Sequence, residues 1–206
     1  MIAIIPARKN SKRFPRKNHS SFGGQSLLQR TFECALSSQL FEDIYLSTDD
    51  LELADKARKL GILVPHIRPA NLGLDHTSSW AVIEDFVVRE SYKGDLALLQ
   101  LTSPLRESQD LVRCANNLMI YPDRLSLTMR FLREQEESEY WVCSHSLLVD
   151  RSPHCETAVR ATPNGACYMI STQTLQDVET IGLQGASHTL MPLNRSLDID
   201  FAWQAE

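Results

Sequence analysis

The chain has 206 residues, 43% of them hydrophobic, with 8 Gly, 9 Pro and 5 Cys, the make-up of one globular domain that buries a core without a structural metal or disulfide. Its net charge of -5, from 21 Lys and Arg against 26 Asp and Glu, excludes a protein that coats nucleic acid and gives no membrane-surface signal. The charge is unevenly placed. Residues 1–32 hold no acid and seven bases (Arg8, Lys9, Lys12, Arg13, Arg16, Lys17 and Arg30), which leaves 14 bases against 26 acids beyond them.

Ile2–Pro6 is a short continuous apolar run, as in a strand buried on both faces of a parallel sheet. A polar loop follows to about Gly24, then a helical stripe over Ser26–Ser38 through Leu27, Leu28, Phe32, Ala35 and Leu36. Asp43–Ser47 reads as a strand. Thr48–Asp50 caps a helix over Leu51–Leu60 that stops at Gly61. Leu63–Ile67 is the next expected strand, Arg68–Asp75 a loop, and Ser78–Arg89 a helix behind a Thr/Ser cap. Asp95–Leu101 is the most apolar strand, and Thr102–Arg106 leads into a helix near Ser108–Leu118.

This alternation predicts an α/β fold with a mostly parallel, Rossmann-like sheet flanked by helices. Past Tyr121 the rhythm breaks. Residues 122–163 are polar and irregular, with strand-like pieces at Leu125–Phe131 and Tyr140–Val142, as expected of a lid or an arm that packs on a partner. Ala166–Ser171 returns to the sheet, and the segment from Leu197 reads as a strand tip followed by the start of a helix. Residues 1–206 are thus expected to be a single domain. The five cysteines (Cys34, Cys114, Cys143, Cys155 and Cys167) are scattered without a C-x-x-C pair and read as reduced, mostly buried thiols. Met1–Ala7 is too short for a signal-peptide core or a membrane span, so the expectation is a cytoplasmic protein with no membrane partner.

Three polar constellations fall at the carboxyl ends of predicted strands, where open parallel sheets bind ligands. Arg8–Asn18 offers cations and backbone amides to a polyphosphate, although neither a Walker A nor a G-x-G-x-x-G pattern is present. Gln100 with Thr102–Arg106 offers neutral donors and hydroxyls suited to a sugar or ribose. Asp198-Ile199-Asp200 turns two carboxylates to one face of an extended segment, the arrangement of a Mg²⁺ site. Taken singly, each also fits a plainer role: a solvated basic loop, a capped turn and a pair of surface acids.

Taken together, these blocks resemble one family. Ile2-Ala-Ile-Ile-Pro-Ala-Arg8, Ser11-Lys12 and Lys17-Asn18 form the opening of the acylneuraminate cytidylyltransferases. Leu46-Ser-Thr-Asp49, Arg68-Pro-Ala-x-Leu72, Leu98–Arg106, Pro163–Tyr168 and Leu197–Asp200 agree with later family blocks in the same order. The resemblance implies a cytidylyltransferase of sialic acid biosynthesis, in which the anomeric hydroxyl of a nine-carbon acidic sugar attacks the α-phosphate of CTP to give CMP-sugar and pyrophosphate. Arg8, Asn10, Ser11, Lys12, Lys17, Asn18 and Ser78 would hold the nucleotide. Arg8, Lys12 and Asp198 would be catalytic, Asp198 and Asp200 would hold Mg²⁺, and Gln100, Arg106 and Tyr168 would contact the sugar. The family often carries Arg immediately before Pro-Asn-Gly, where this chain has Thr162; Arg160, two residues earlier, is the candidate to reach the sugar carboxylate in its place. The irregular stretch 122–163 corresponds to the family's dimerisation arm, which implies a homodimer. The chain stops about where the family's last helix begins. Legionaminic or pseudaminic acid is the alternative substrate, and a degenerate CTP-binding module the alternative function. Ser11-Lys12 argues against a ketodeoxyoctonate enzyme on the same fold.

Overall fold

The computed structural model describes residues 1–133, 135–143, 146–153, 155–175 and 183–205. Ile2–Pro6 (β1) is the inner strand of the amino-terminal half. Ala3 and Ile5 face one side and Ile2 and Ile4 the other, all but inaccessible, because a strand covered on both faces has no solvent side to keep polar. Two short strands, Ser21–Phe22 (β2) and Gln25–Ser26 (β3), make a hairpin ahead of helix Leu27–Ser38 (α1), whose amino end the Ser26 hydroxyl caps at Gln29 N. Asp43–Ser47 (β4) lies parallel to β1. Helix Leu51–Leu60 (α2) follows, capped by Asp50 and closed by Gly61 at φ 89°, a left-handed position that glycine takes at no steric cost. Helix Ser79–Arg89 (α3) leads to Asp95–Leu98 (β5), parallel to β1 on its other side. Helix Ser108–Ile120 (α4) completes the alternation.

The second half departs from the expected topology. Ser126–Phe131 (β6), Trp141–Cys143 (β7), Ser146–Asp150 (β8), Val159–Ser171 (β9) and Ser187–Leu190 (β10) join the first three strands in one eight-stranded sheet of order β4-β1-β5-β9-β6-β10-β8-β7. The sheet is mixed and not mostly parallel: β9 runs antiparallel to both β5 and β6, and β8 is antiparallel to β10. The 13-residue β9 also pairs with β7, so the carboxyl half curls back on itself. Its length could not be read from periodicity because Pro163-Asn164-Gly165 interrupts it. Leu63–Ile67 is not a strand; it contributes a single parallel bridge between Leu63 and Tyr45. The segment from Leu197 forms irregular chain and a short 3-10 turn at Ala202–Gln204 rather than a strand tip and helix.

Two apolar clusters sandwich the sheet. Leu27, Leu53, Leu111 and Leu118 from α1, α2 and α4 cover one face, and Ile83 and Phe86 from α3 cover the other. Each such side chain contributes roughly 1.5–3 kcal/mol by leaving water, which fixes the strand ends where the polar loops emerge. The cysteines divide. Cys114 and Cys167 are buried thiols and Cys34 is half-buried, as expected, but Cys143 and Cys155 are joined in a disulfide across the β7–β9 edge. A 12-residue spacing carries no pairing signal until β7 and the chain before β9 are brought side by side. Among the described residues no helix is long and apolar enough to cross a membrane.

Candidate active site

The loop after β1 wraps the carboxyl end of the sheet and is anchored from beneath. Lys9 N donates to Asp49 (2.7 Å), the Asn18 amide to the Arg8 carbonyl (2.8 Å), and the His19 ring pairs with Asp50 (2.7 Å). Gly73 packs against the Asp49 carboxylate: a Cβ there would stand 2.6 Å from it and push it aside. These ties turn Arg8, Arg13, Lys17 and Asn18 onto a cavity of about 340 Å³ whose far wall holds Gln100, Thr102, Asp198 and Asp200. Arg68 lies under it, its guanidinium buried against the Ser47 carbonyl and hydroxyl. Burial pulls its pKa down to about 10, so it remains a fixed cation at neutral pH.

Asp198 and Asp200 both reach the cavity, and they differ in environment. Asp200 pairs with Arg13 (3.0 Å) and Lys17 (3.3 Å). Asp198 is open to the cavity yet hemmed in by its walls. That loss of solvent pushes its carboxyl above the usual range, with the Thr102 hydroxyl opposing and Asp200 adding to the shift. The segment is pinned on three sides. Arg195 grips the inaccessible Asp110 of α4 through two hydrogen bonds, Asn164 donates to Ser196 (3.0 Å), and Ile199 N donates to the Thr102 carbonyl (2.8 Å).

A second cavity of about 330 Å³ adjoins the first and shares Gln100 and Asp198 with it. An interruption in β9 makes it. Leu127 pairs with Tyr168 and Met129 with Pro163, so residues 164–167 bulge out opposite Thr128, which binds Asn164 (2.7 Å) and Cys167 N (2.9 Å). Gly165, at φ 76°, then lies so close to Gln100 that a Cβ would meet its side-chain oxygen at 2.6 Å. Tyr168, Arg130 and Arg133 complete the wall. Burial pushes the Tyr168 hydroxyl up to about 12, which keeps it a protonated donor. Arg130 is held by Glu136 through both carboxylate oxygens (2.6 and 2.8 Å).

The structure therefore gathers Arg8, Lys17, Asn18, Gln100, Tyr168, Asp198 and Asp200. Lys12 stands at the rim, largely exposed and paired with Asp75. Asn10 and Ser11 line a neighbouring hollow with Lys9, Arg16 and Asp49, because the loop turns away from the main cavity after Arg8. Ser78 caps α3, accepting from Ala81 N, and its neighbours Thr77 and Ser79 face the cavity. Two expected sugar contacts are placed elsewhere. Arg106 is buried beneath the site, donating to the Gln100 and Ala166 carbonyls, because a strand turning into a helix leaves carbonyls that need a donor. Arg160 lies outside the cavity, 5.1 Å over the Trp141 ring, since β9 pairs there with β7. The sequence reading carries no role for Asp75, which follows the Arg68–Leu72 block, nor for Arg130 and Arg133, which lie in a stretch without periodicity.

Fold and site thus define an α/β protein with a cation-lined cavity at the switch from parallel to antiparallel strands. A family model for cytidylyltransferases matches residues 2–141, and the chain belongs to that family. It is 34% identical over 143 residues, 68% of this chain and 59% of the relative, to a pseudaminic acid cytidylyltransferase of Campylobacter jejuni. It is 26% identical over 211 residues, 97% of this chain and 90% of the relative, to a CMP-N,N'-diacetyllegionaminic acid synthase of Legionella pneumophila. Among solved structures, a CMP:2-keto-3-deoxy-manno-octonic acid synthetase complexed with CTP superimposes with a TM-score of 0.73 at 16% identity, covering 97% of this chain and 92% of that one.

Proposed function

We propose that the protein transfers the CMP group of CTP to an acidic nine-carbon sugar, releasing pyrophosphate, in the cytoplasm where CTP is made. The observation that carries this reading is the pair of joined cavities. One is walled by Arg8, Arg13, Lys17 and two carboxylates, the other by Arg130, Arg133 and Tyr168, and Gln100 and Asp198 belong to both. A triphosphate suits the first and an anionic polyol the second, with the reacting atoms meeting at their junction.

In this reading Arg8, Lys12 and Lys17 hold the phosphates and Asn18 keeps the loop folded around them. Cations fixed before the reaction stabilise charge as it shifts to the leaving pyrophosphate. Gln100, oriented by Gly165, places the sugar hydroxyl, and Arg130 with Arg133 faces the sugar carboxylate. Asp198 and Asp200 supply the carboxylate oxygens that a hard divalent ion prefers. Among the described residues no third Asp, Glu, His or Cys stands with them, so phosphate and water oxygens would complete the shell. A Mg²⁺ ion held by these two carboxylates would supply neutralisation of phosphate charge and acidify a hydroxyl beside it.

We further propose a homodimer through the 122–163 segment, because Phe131, Leu147 and Val159 on its strands are exposed apolar side chains. Pseudaminic, legionaminic and sialic acids remain the candidate sugars. Incubation with CTP, Mg²⁺ and each of the three, read as pyrophosphate release, tests the proposal. Release with at least one supports it; CTP binding without release on any would instead mark a degenerate nucleotide-binding module.

A further inference from the structure

The cations after β1 do not stand free. Arg13 and Lys17 meet Asp200, and Arg16 meets Glu52 (2.7 Å) outside the main cavity. Arg8 and Lys12 meet Asp75, one through each carboxylate oxygen, at 3.1 and 2.7 Å. Asp200 belongs to the cavity wall, whereas Asp75 comes from the loop between the 3-10 turn Ala70–Gly73 and α3, the same loop that lines the cavity with Leu72 and Leu74. Its two oxygens bridge the two cations as two oxygens of a phosphoryl group would. That loop is held by long contacts, Arg8 to the Leu74 carbonyl at 3.4 Å and Arg68 to the Leu72 carbonyl at 3.5 Å.

We propose that Asp75 is an internal competitor for the anion cradle, occupying Arg8 and Lys12 until phosphate groups displace it. The inference rests on the reading of this loop as the triphosphate site and adds a residue that sets its affinity. A carboxylate and a phosphate cannot both sit against the same two cations without strong like-charge repulsion, so binding must exchange one for the other. The return of Asp75 assists departure of pyrophosphate once the bond to the α-phosphorus is broken. Because Asp75 and Lys12 are exposed, the exchange is a modest one.

The test is calorimetric titration of inorganic tripolyphosphate, without Mg²⁺ and at low ionic strength, into the wild type, Asp75→Asn, Asp75→Ala and Glu52→Gln. The last removes an equal charge from the ion pair of Arg16 and controls for net charge. Both Asp75 variants are expected to bind about 3- to 10-fold tighter, the range two exposed ion pairs support, and Glu52→Gln less than about 2-fold tighter. Binding by the wild type that is unchanged or weakened in both Asp75 variants overturns the proposal and makes Asp75 an orienting partner of the cations. Equal tightening by Glu52→Gln also overturns it, reducing the effect to overall charge. If neither the wild type nor an Asp75 variant binds, the triphosphate reading of the loop fails, and the competitor with it.

Discussion

Asp200 lies 3.0 Å from Arg13 and 3.3 Å from Lys17 on the cavity wall. Asp200→Asn keeps the shape and hydrogen-bonding capacity while removing one charge from the carboxylate pair. We expect turnover to fall by about 100-fold or more, the several kcal/mol that a metal centre supplies, with the melting temperature nearly unchanged at this partly exposed site. Pyrophosphate release at ordinary and raised Mg²⁺, beside a thermal melt, checks this; near-normal turnover would remove Asp200 from the site. Gly165 makes a second case. A methyl group there would meet the Gln100 side-chain oxygen at 2.6 Å, on a backbone at φ 76°. Gly165→Ala should raise the KM for the sugar about 10-fold or more, as displacing a positioning group by about 1 Å does, and leave the KM for CTP close to normal. Much of this was legible in the residues. Arg8, Lys17, Asn18, Gln100 and Asp198-x-Asp200 follow strand ends or share a face, whatever the remaining fold. Arg106 and Arg160 were not, because a guanidinium gives no sign in sequence of whether it will be needed by buried carbonyls or by an aromatic ring.

Among the elements, α1 to α4 follow the apolar stripes and caps closely, with Ser26, Asp50 and Ser78 as amino-terminal caps. The carboxyl half was less legible because its strands are short, edge-like or interrupted, and because β9 owes its length to three different partners in space. The chain between β6 and β7 shows the cost of that irregularity and how it is met. Glu136 is held by the Arg130 side chain and by Arg133 N, which keeps its carboxyl at about 2 against an ordinary 4.5. A carboxyl lowered in the folded state stabilises it above its unfolded pKa, and that contribution is lost as pH falls through the folded one. The local structure around Arg130 should therefore loosen between about pH 4.5 and 2. Acid titration followed by fluorescence of the wild type and Glu136→Gln checks it. The variant should show a smaller pH-dependent step in that window; an identical step in both would assign it to another group.

For the whole molecule, the opening asymmetry of charge acquires a spatial meaning. Five of the seven bases in the acid-free first 32 residues are paired with acids that the fold delivers from elsewhere: Arg16 with Glu52 of α2, Arg8 and Lys12 with Asp75 before α3, and Arg13 and Lys17 with Asp200 near the end of the chain. A basic loop on an acidic body is thus a cradle whose charge is already balanced, and its neighbour across Gln100 is a second cavity with two arginines. Joining the blocks at one sheet end places two cation-lined cavities side by side. The most direct measurement is product formation from CTP, Mg²⁺ and a panel of acidic nine-carbon sugars, with the nucleotide product identified by mass spectrometry. The account predicts a CMP-sugar in equal amount to pyrophosphate with at least one sugar. CTP left intact with every one of them would contradict it.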